Sequence, residues 1–392
     1  MTAEPLPWER HREVVPIGDG RRVLHVSTRF LRGGAERNIA HFIEWERAAG
    51  FDVELAVGPD SLVSDEGAGI RVHRLTHLTR NVNPVRDALG LIELRRLISR
   101  GRYDIVHTHL SKAGILGRVA AKGVASRTVH TVHMASFGAG YGRIGSLVFR
   151  LAEQRSAALS HALAFVGNDL LDLYAGHGIG RPEQRLVVHS PINLERLLGT
   201  RAWTDDERQR ARLHLGVDRD APLIASVGAL EPRKRHAMLI EELATTLKAT
   251  GATLAIAGEG PERRPLERRA QALGVRSQVQ LVGHLDDVAE LLAASDVLVH
   301  ASSAEGVPQV VIQALAAAVP VVATDVTGLR ETVDAPIAIA SASGLGLGEQ
   351  VRGQLANPLP PLEPQAFEPW SCPAVDDRIA LLHEILVGSQ NA

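Results

Sequence analysis

The stretch VLVHASSAEGVPQVVIQALAAAVPVVATD, residues 297–325, decides the fold class. It opens on a short β-branched run (297–302), crosses a loop of small residues, and continues as an apolar segment too long for a strand. It closes on a second run, PVVATD (320–325). Near-continuous apolar strands joined through a helix suit a parallel sheet covered on both faces. Pro308 fits the first turn of the intervening helix, where no partner is lost by its missing N–H.

Outward from this unit the same kind of segment recurs. VLHVS (23–27), DVELAVG (52–58), DIVHTH (104–109), TVHTVH (128–133), ALAFVG (162–167) and LVVHS (186–190) lie in the first half. PLIASVG (222–228), TLAIAG (253–258), VQLVG (279–283) and PIAIA (336–340) complete the second. Amphipathic stretches separate many of them: Ala35, Ile39, Phe42 and Ile43 make one helical face, and Ile92, Leu94, Leu97 and Ile98 another. The alternation predicts an α/β protein, doubly wound. Twelve strands strain a single sheet, so two are expected. The charged segment LERLLGTRAWTDDERQRARLHLGVDRD (194–220) marks the seam. The expected division is an N-terminal extension over 1–20, a first domain over 21–195, a second over 196–370, and a C-terminal segment 371–392. In that last segment Asp376–Val387 reads as a helix with Ile379, Leu382, Ile385 and Leu386 on one side. Two such domains facing each other set the carboxyl ends of both sheets around one cleft, where open α/β sheets bind ligands.

Composition narrows the function. With 43 basic and 45 acidic residues among 392, the net charge of −2 gives no overall drive toward nucleic acid. The single cysteine, Cys372, excludes an internal disulfide and a Cys-rich zinc site. Residues 1–20 lack the apolar stretch of a secretory signal, and the longest apolar run, Ala314–Thr324, is far short of the ~20 residues that span a bilayer. A cytoplasmic protein is expected, with the inner face of the cell membrane as a further location.

Four loops carry the candidate chemistry. Gly33-Gly34 stands directly before a helix, where free N–H groups and the positive dipole end suit phosphate. A plain strand-to-helix turn explains a lone Gly-Gly pair equally well. Histidines crowd the next loops: His107 and His109, then His130 and His133. Alternation turns His107 and His109 to one face. His133, last in its strand and first in a Gly-rich loop, is best placed to meet a ligand, and structural hydrogen bonding suits the other three. No familiar ligand spacing is completed by a carboxylate or cysteine, so no metal is expected. The third loop, EPRKR, sets Arg233 and Lys234 at a strand's carboxyl end. Only four of the 43 basic residues are lysines (112, 122, 234 and 248), so a compact ammonium at 234 hints at a phosphate contact. In the fourth, Glu305 suits neutral hydroxyls while the N–H groups of Gly306 and Val307 suit an anion. Gln313, about two helical turns on, reaches the same side.

Together these residues resemble the glycosyltransferase family 4 proteins, which have the two-domain GT-B fold. The matching pieces are GGAER (33–37), DIVHTHLSKAG (104–114), TVH (131–133), EPRK (231–234), GEGPER (258–263) and EGVPQVVIQALAAAVPVVAT (305–324), in the family's order. The resemblance implies a retaining, metal-independent transfer of a sugar from a nucleoside-diphosphate donor, a UDP- or GDP-sugar first, with no cofactor. The second domain holds the donor and the first the acceptor. Gly33 and Gly34 close over donor phosphate and sugar, His133 contacts the sugar, and Lys234, with Arg233 beside it, binds diphosphate. Glu305 holds sugar hydroxyls, Gln313 the ribose, and His284 lies near the base. His109 and Lys112 are acceptor-side candidates, and the last helix packs back on the first domain. The expected acceptor is a glycan, glycolipid or small molecule, in cell-surface assembly first and natural-product glycosylation second.

Three positions depart from the family's pattern. Its usual arginine after the strand-end glycine is Ala229 here, with Arg233 as the substitute. Its second acidic residue is Gln313, which forgoes a charge-assisted bond of roughly 1 kcal/mol. HSPINL (189–194) stands for an asparagine-glycine-aspartate stretch. These departures motivate a second reading, a binding or scaffold subunit with attenuated activity. The absence of GxGxxG after the first strand argues against a nicotinamide-dependent oxidoreductase. The stretch mixing Leu147, Val148, Phe149 and Leu151 with Arg143, Arg150 and Arg155 reads first as a solvated amphipathic helix and second as a peripheral membrane contact.

Overall fold

The computed structural model describes residues 14–31, 33–63, 69–125, 127–138, 141–329 and 337–388. Most of the 1–20 extension, and Pro336 of PIAIA, lie outside the described residues. The chain divides into two units, one running to Pro191 and resuming at Cys372, the other spanning Ile192–Ser371.

The first unit is built from β1 (Arg22–Ser27), α1 (Gly34–Ala48), β2 (Asp52–Val57), β3 (Arg71–Arg74), α2 (Pro84–Gly101), β4 (Ile105–His109), α3 (Ser111–Ala121), β5 (Arg127–Val132), α4 (Arg143–Ala157), β6 (Ala162–Phe165), α5 (Asn168–Gly176) and β7 (Arg185–Val187), with α13 (Cys372–Gly388) closing it. Its seven strands are all parallel, in the order β3-β2-β1-β4-β5-β6-β7. Alternation along each strand feeds two separate cores. Val23, Val53, Ile105 and Val129 meet Ile39 and Phe42 of α1 and Ile379, Leu382 and Leu386 of α13. Leu24, Val26, Ala56 and Val106 meet Leu94 and Ile98 of α2 and Ala113 and Ala120 of α3.

Two helical faces differ from the expectation. In α13 the buried stripe is Val375, Ile379, Leu382 and Leu386, while Ile385 is 40% exposed. In α2 Leu94 and Ile98 are buried, while Ile92 faces out. Spacings of seven and eleven hold a narrow stripe better than adjacent apolar residues do. Strand β3 was not anticipated at all. RVHR is a half-exposed edge strand, so charge replaces the apolar run that marks the buried ones.

The second unit comprises α6 (Leu194–Gly199), α7 (Asp205–His214), β8 (Leu223–Val227), α8 (His236–Thr250), β9 (Thr253–Ala257), α9 (Arg263–Ala272), β10 (Val279–Gly283), α10 (Ala289–Ala294), β11 (Val297–His300), α11 (Gln309–Ala316), β12 (Val321–Thr324), β13 (Ala338–Ala340) and α12 (Leu347–Ala356). Its six parallel strands run β10-β9-β8-β11-β12-β13, with cores on both faces. The charged seam segment joins this unit as α6 and α7. Thr204 and Glu207 close a reciprocal capping box at the start of α7.

In each sheet the strand order reverses once, between β1 and β4 and between β8 and β11. At such a switch point the connecting loops part in opposite directions and leave room for a ligand beyond the strand ends.

Candidate active site

In the second unit, the loops after β8 and β11 meet at the switch point. The first is a 3-10 turn, Pro232–Lys234, separated from α8 by Arg235 in the left-handed region at φ 56°. That break turns Lys234 back over the strand end. Its stem lies against Gly228, where an added Cβ would sit 3.1–3.2 Å from three of its carbons. The Lys234 ammonium donates to Glu305 Oε1 at 2.5 Å. Arg233 Nη1 donates to the Ala304 carbonyl at 3.0 Å and to Glu305 Oε2 at 3.3 Å.

Glu305 is nearly buried, which alone would raise its pKa. Lys234, His300 and Arg233 outweigh that and hold it at about 2. The carboxylate therefore stays ionised until the pH falls toward that value. Two buried imidazoles back the pair: His300, whose Nε2 lies 3.5 Å from Glu305 Oε1, and His236, whose Nε2 donates to the Gly228 carbonyl at 3.3 Å. Burial, with Lys234 nearby, lowers each to about 4, so both are neutral at physiological pH. Sequence reading passed over these two. Each stands at an element end beside a named site residue, and only the strand pairing brings them together.

Helix α11 begins at Gln309 with Pro308 as its N-cap, so Gly306 and Val307 precede the first turn. Gly306 is packed from behind by Gly328, at φ 78°, where an added Cβ would fall 1.8 Å from the Gly306 carbonyl oxygen. Gly328→Ala is expected to displace the 305–307 loop and cost at least about 1 kcal/mol, read as a lowered melting temperature. Gln313 lies half-buried in α11. His284 follows β10 and its Nε2 lies 3.1 Å from Asp286 Oδ1. Ala229 is exposed beside the turn and offers no charge, whereas Arg233 already engages Glu305.

In the first unit, Gly33 is the N-cap of α1, and Glu36 of the first turn folds back over it. A Cβ at Gly33 would meet Glu36 Oε2 at 2.6 Å. His133 follows β5 directly, and its Nε2 lies 3.1 Å from His109 Nδ1. His109, buried at the end of β4, continues to His25 of β1 at 2.9 Å. His25 reaches Glu46 of α1 at 2.6 Å. Burial holds His109 well below the usual imidazole range, and burial, with His107 nearby, lowers His133 to about 3. His25 and Glu46 escaped the sequence reading. A signal existed for Glu46, which continues the buried α1 stripe of Ile39, Phe42 and Ile43.

The other first-unit candidates are engaged locally. His107 Nε2 pairs with Thr131 Oγ1 at 2.7 Å. His130 points to the opposite face, where the bare Cα of Gly114 admits its ring. The Lys112 ammonium is paired with Asp87 and donates to the Asn81 carbonyl at 2.5 Å, which ties α3 to α2. A cavity of about 480 Å³ lined by Arg22, Glu54, His73 and Tyr103 opens near the strand starts, away from His133. Its polar groups satisfy one another: Tyr103, His73 and Arg22 all bond Glu54 at 2.5–2.6 Å.

Two parallel-sheet, Rossmann-like units with polar loops at their switch points define the GT-B class of α/β protein, and the comparisons agree. Residues 33–191 match the profile of the glycosyl transferase 4-like domain, and residues 207–337 that of glycosyl transferases group 1. The chain belongs to the GT-B glycosyltransferases. It is 27% identical over 314 residues, 78% of this chain and 80% of the relative, to the UDP-Gal:alpha-D-GlcNAc-diphosphoundecaprenol alpha-1,3-galactosyltransferase of Escherichia coli. Its fold matches that of Anabaena Alr3699/HepE, solved in complex with UDP and glucose, at TM-score 0.76 and 18% identity over 92% of this chain and 99% of the other. It also matches WaaG, a glycosyltransferase involved in lipopolysaccharide biosynthesis, at TM-score 0.69 and 20% identity over 93% and 100% of the two chains.

Proposed function

We propose that the protein transfers a sugar from a nucleoside-diphosphate donor, a UDP-sugar first and a GDP-sugar second, to a hydroxyl of a lipid-linked glycan acceptor, with retention and without a bound metal. The observation that carries this reading is the convergence of Lys234, Arg233 and Glu305 at the β8/β11 switch point. The Escherichia coli relative supports the donor and acceptor classes through its name.

As the bond from sugar to diphosphate breaks, negative charge builds on the leaving oxygens. Lys234 supplies a positive charge there, Arg233 stands beside it on Glu305, and the N–H groups of Gly306 and Val307 add donors. This is the charge a divalent cation would otherwise provide. Lys234 turns from Glu305 toward the diphosphate without leaving the carboxylate uncompensated, because Arg233 remains on it. Glu305 then accepts from sugar hydroxyls, His133 orients the sugar, and Gln313 takes the ribose. A diphosphate oxygen receives the acceptor's proton on the face from which the leaving group departs, so configuration is retained.

Helix α4 supports the lipid-linked acceptor. Ile144, Leu147, Val148 and Leu151, at i, i+3, i+4 and i+7, form an exposed apolar stripe, with Arg143 and Arg155 exposed on the same helix. Such a surface suits peripheral contact with an anionic lipid surface. No described helix is long and apolar enough to cross a membrane.

The test is a panel of nucleotide sugars with lipid-linked acceptors, read as nucleoside diphosphate release with and without a chelator. Release from a UDP- or GDP-sugar that survives chelation, with the product anomer matching the donor, is the expected result. Loss of release on chelation would reject the metal-independent mechanism, and calorimetry without affinity for any nucleoside diphosphate would reject the donor site.

A further inference from the structure

Four side chains in the first unit form one hydrogen-bonded chain through its core. Glu46 Oε2 lies 2.6 Å from His25 Nε2, His25 Nδ1 lies 2.9 Å from His109 Nε2, and His109 Nδ1 lies 3.1 Å from His133 Nε2. Glu46, His25 and His109 are fully buried. At the inner end the second oxygen of Glu46 accepts from His383 Nε2 of α13 at 3.0 Å. At the outer end His133 is partly exposed beyond β5.

We propose that Glu46, His25 and His109 form a buried proton relay that decides which nitrogen of His133 carries its proton. They are positioning residues for His133, and their use in transfer rests on the reading of His133 as a sugar contact.

The argument is a count of protons. A neutral imidazole has one N–H and one lone pair, and a carboxylate only accepts. Glu46 takes the N–H of His25 Nε2, which leaves His25 Nδ1 bare. His109 must therefore donate from Nε2, leaving its own Nδ1 bare, and His133 must donate from Nε2 in turn. The ring so held turns a bare Nδ1 outward, an acceptor for a sugar hydroxyl. One further proton reverses both links between the imidazoles and leaves His25 still donating to Glu46. It enters at His133 Nδ1, the Nε2 proton of His133 passes to His109 Nδ1, and the Nε2 proton of His109 passes to His25 Nδ1. His133 is then a donor, and the charge rests on His25 beside Glu46. Only N–H bonds form and break, each along an existing hydrogen bond.

The surroundings favour that end point. Burial with the neighbouring imidazoles disfavours charge on His109 and His133, whereas His25 has a carboxylate against it. Despite its burial, Glu46 is held well below the usual carboxylate range by His25, His107 and His383. The other ionisable groups facing the chain are His107 of β4, lowered to about 4 by burial, and His130 of β5, lowered by burial and Arg118 of α3. His25, His107 and His109 have the composition of a transition-metal site. The lone pairs of His25 Nδ1 and His109 Nδ1 are, however, already committed to N–H donors.

The experiment is nitrogen-15 NMR of the full chain with labelled histidine and no ligand. At a pH of about 8, above the ordinary imidazole value, His25, His109 and His133 are all expected to carry the proton on Nε2. On acidification His109 and His133 should change tautomer, and His25 should gain its second N–H, at one midpoint. Glu46→Gln has nearly the same shape, but its amide nitrogen donates to His25 while its oxygen still accepts from His383. It should lock all three rings in the reversed state, with His133 protonated on Nδ1, at every pH. An unchanged His133 in folded Glu46→Gln would overturn the relay. So would separate midpoints in the wild type, or zinc capture by the three rings in place of the hydrogen bonds. Should the variant not fold, the wild-type titration decides alone. Reversal of His133 with undiminished donor turnover would support the relay and reject instead the sugar contact of His133.

Discussion

Lys234→Ala is expected to lower transferase turnover by about 10²–10³-fold or more, the usual loss when one preorganised electrostatic contact to a developing charge is removed. The variant should still fold. The stem of Lys234 is half-buried against Gly228 and belongs to neither apolar core. Its loss leaves Glu305 with Arg233 and His300 among the described residues, so the carboxyl should titrate above its present value of about 2. Two effects then separate. Calorimetry should show weaker binding of nucleoside diphosphate, because a positive charge is gone. Turnover should fall further than binding, because the charge on the leaving group is greatest as the bond breaks. Lys234→Arg is expected to recover little. A planar guanidinium has no freedom to turn between carboxylate and diphosphate where the stem is pressed against a strand end. Lys248→Ala, in the last turn of α8, serves as the charge control. Near-normal turnover of Lys234→Ala would remove the second-unit site from the mechanism.

That site was readable in pieces but not as an assembly. Lys234 and Glu305 each follow an apolar strand, and their residue types point to phosphate and hydroxyl. Their pairing depends on β8 lying beside β11, which no local pattern encodes, since 71 residues separate the two side chains. All twelve apolar runs appear as strands, and in most of them burial on both faces writes itself into composition. The edge strand β3 left no such mark. Glu46 shows the opposite case, a carboxylate on a buried helical stripe that reads as an error until His25, His107 and His383 are seen around it. The conclusion that no carboxylate completes the histidine cluster considered spacing along the chain alone, and Glu46 arrives from α1 through the packing of that helix on the sheet. Arg233 is likewise legible as a cation, but its hold on Glu305 comes only from the turn geometry.

Glu153→Ala is expected to destabilise the first unit by about 3–5 kcal/mol, the cost of leaving a buried charge without its partner. Arg118 of α3 and Glu153 of α4 are both fully buried, and Arg118 Nη2 donates to Glu153 Oε2 at 2.6 Å. Arg118 Nε also donates to the Gly114 carbonyl at 2.8 Å, so without Glu153 the guanidinium keeps only that neutral contact among those described. The second oxygen of Glu153 accepts from Ser136 Oγ at 3.1 Å, and Ser136 Oγ in turn lies 2.7 Å from Ser111 Oγ. Ser136 stands three residues after His133, so the ion pair fastens the loop that carries it. The loss should therefore appear as faster hydrogen exchange in α3, α4 and the 133–138 loop. Exchange is the better measure here, because two units need not unfold in one step. Replacing both partners by apolar residues of similar size, Arg118→Met with Glu153→Leu, should restore most of the stability, since no charge is then left unpaired. It should not restore the protection of Ser136 and its neighbours, which needs the carboxylate oxygen. A double variant as unstable as Glu153→Ala would locate the cost in packing volume, and a fully protected loop in either variant would detach His133 from this anchor.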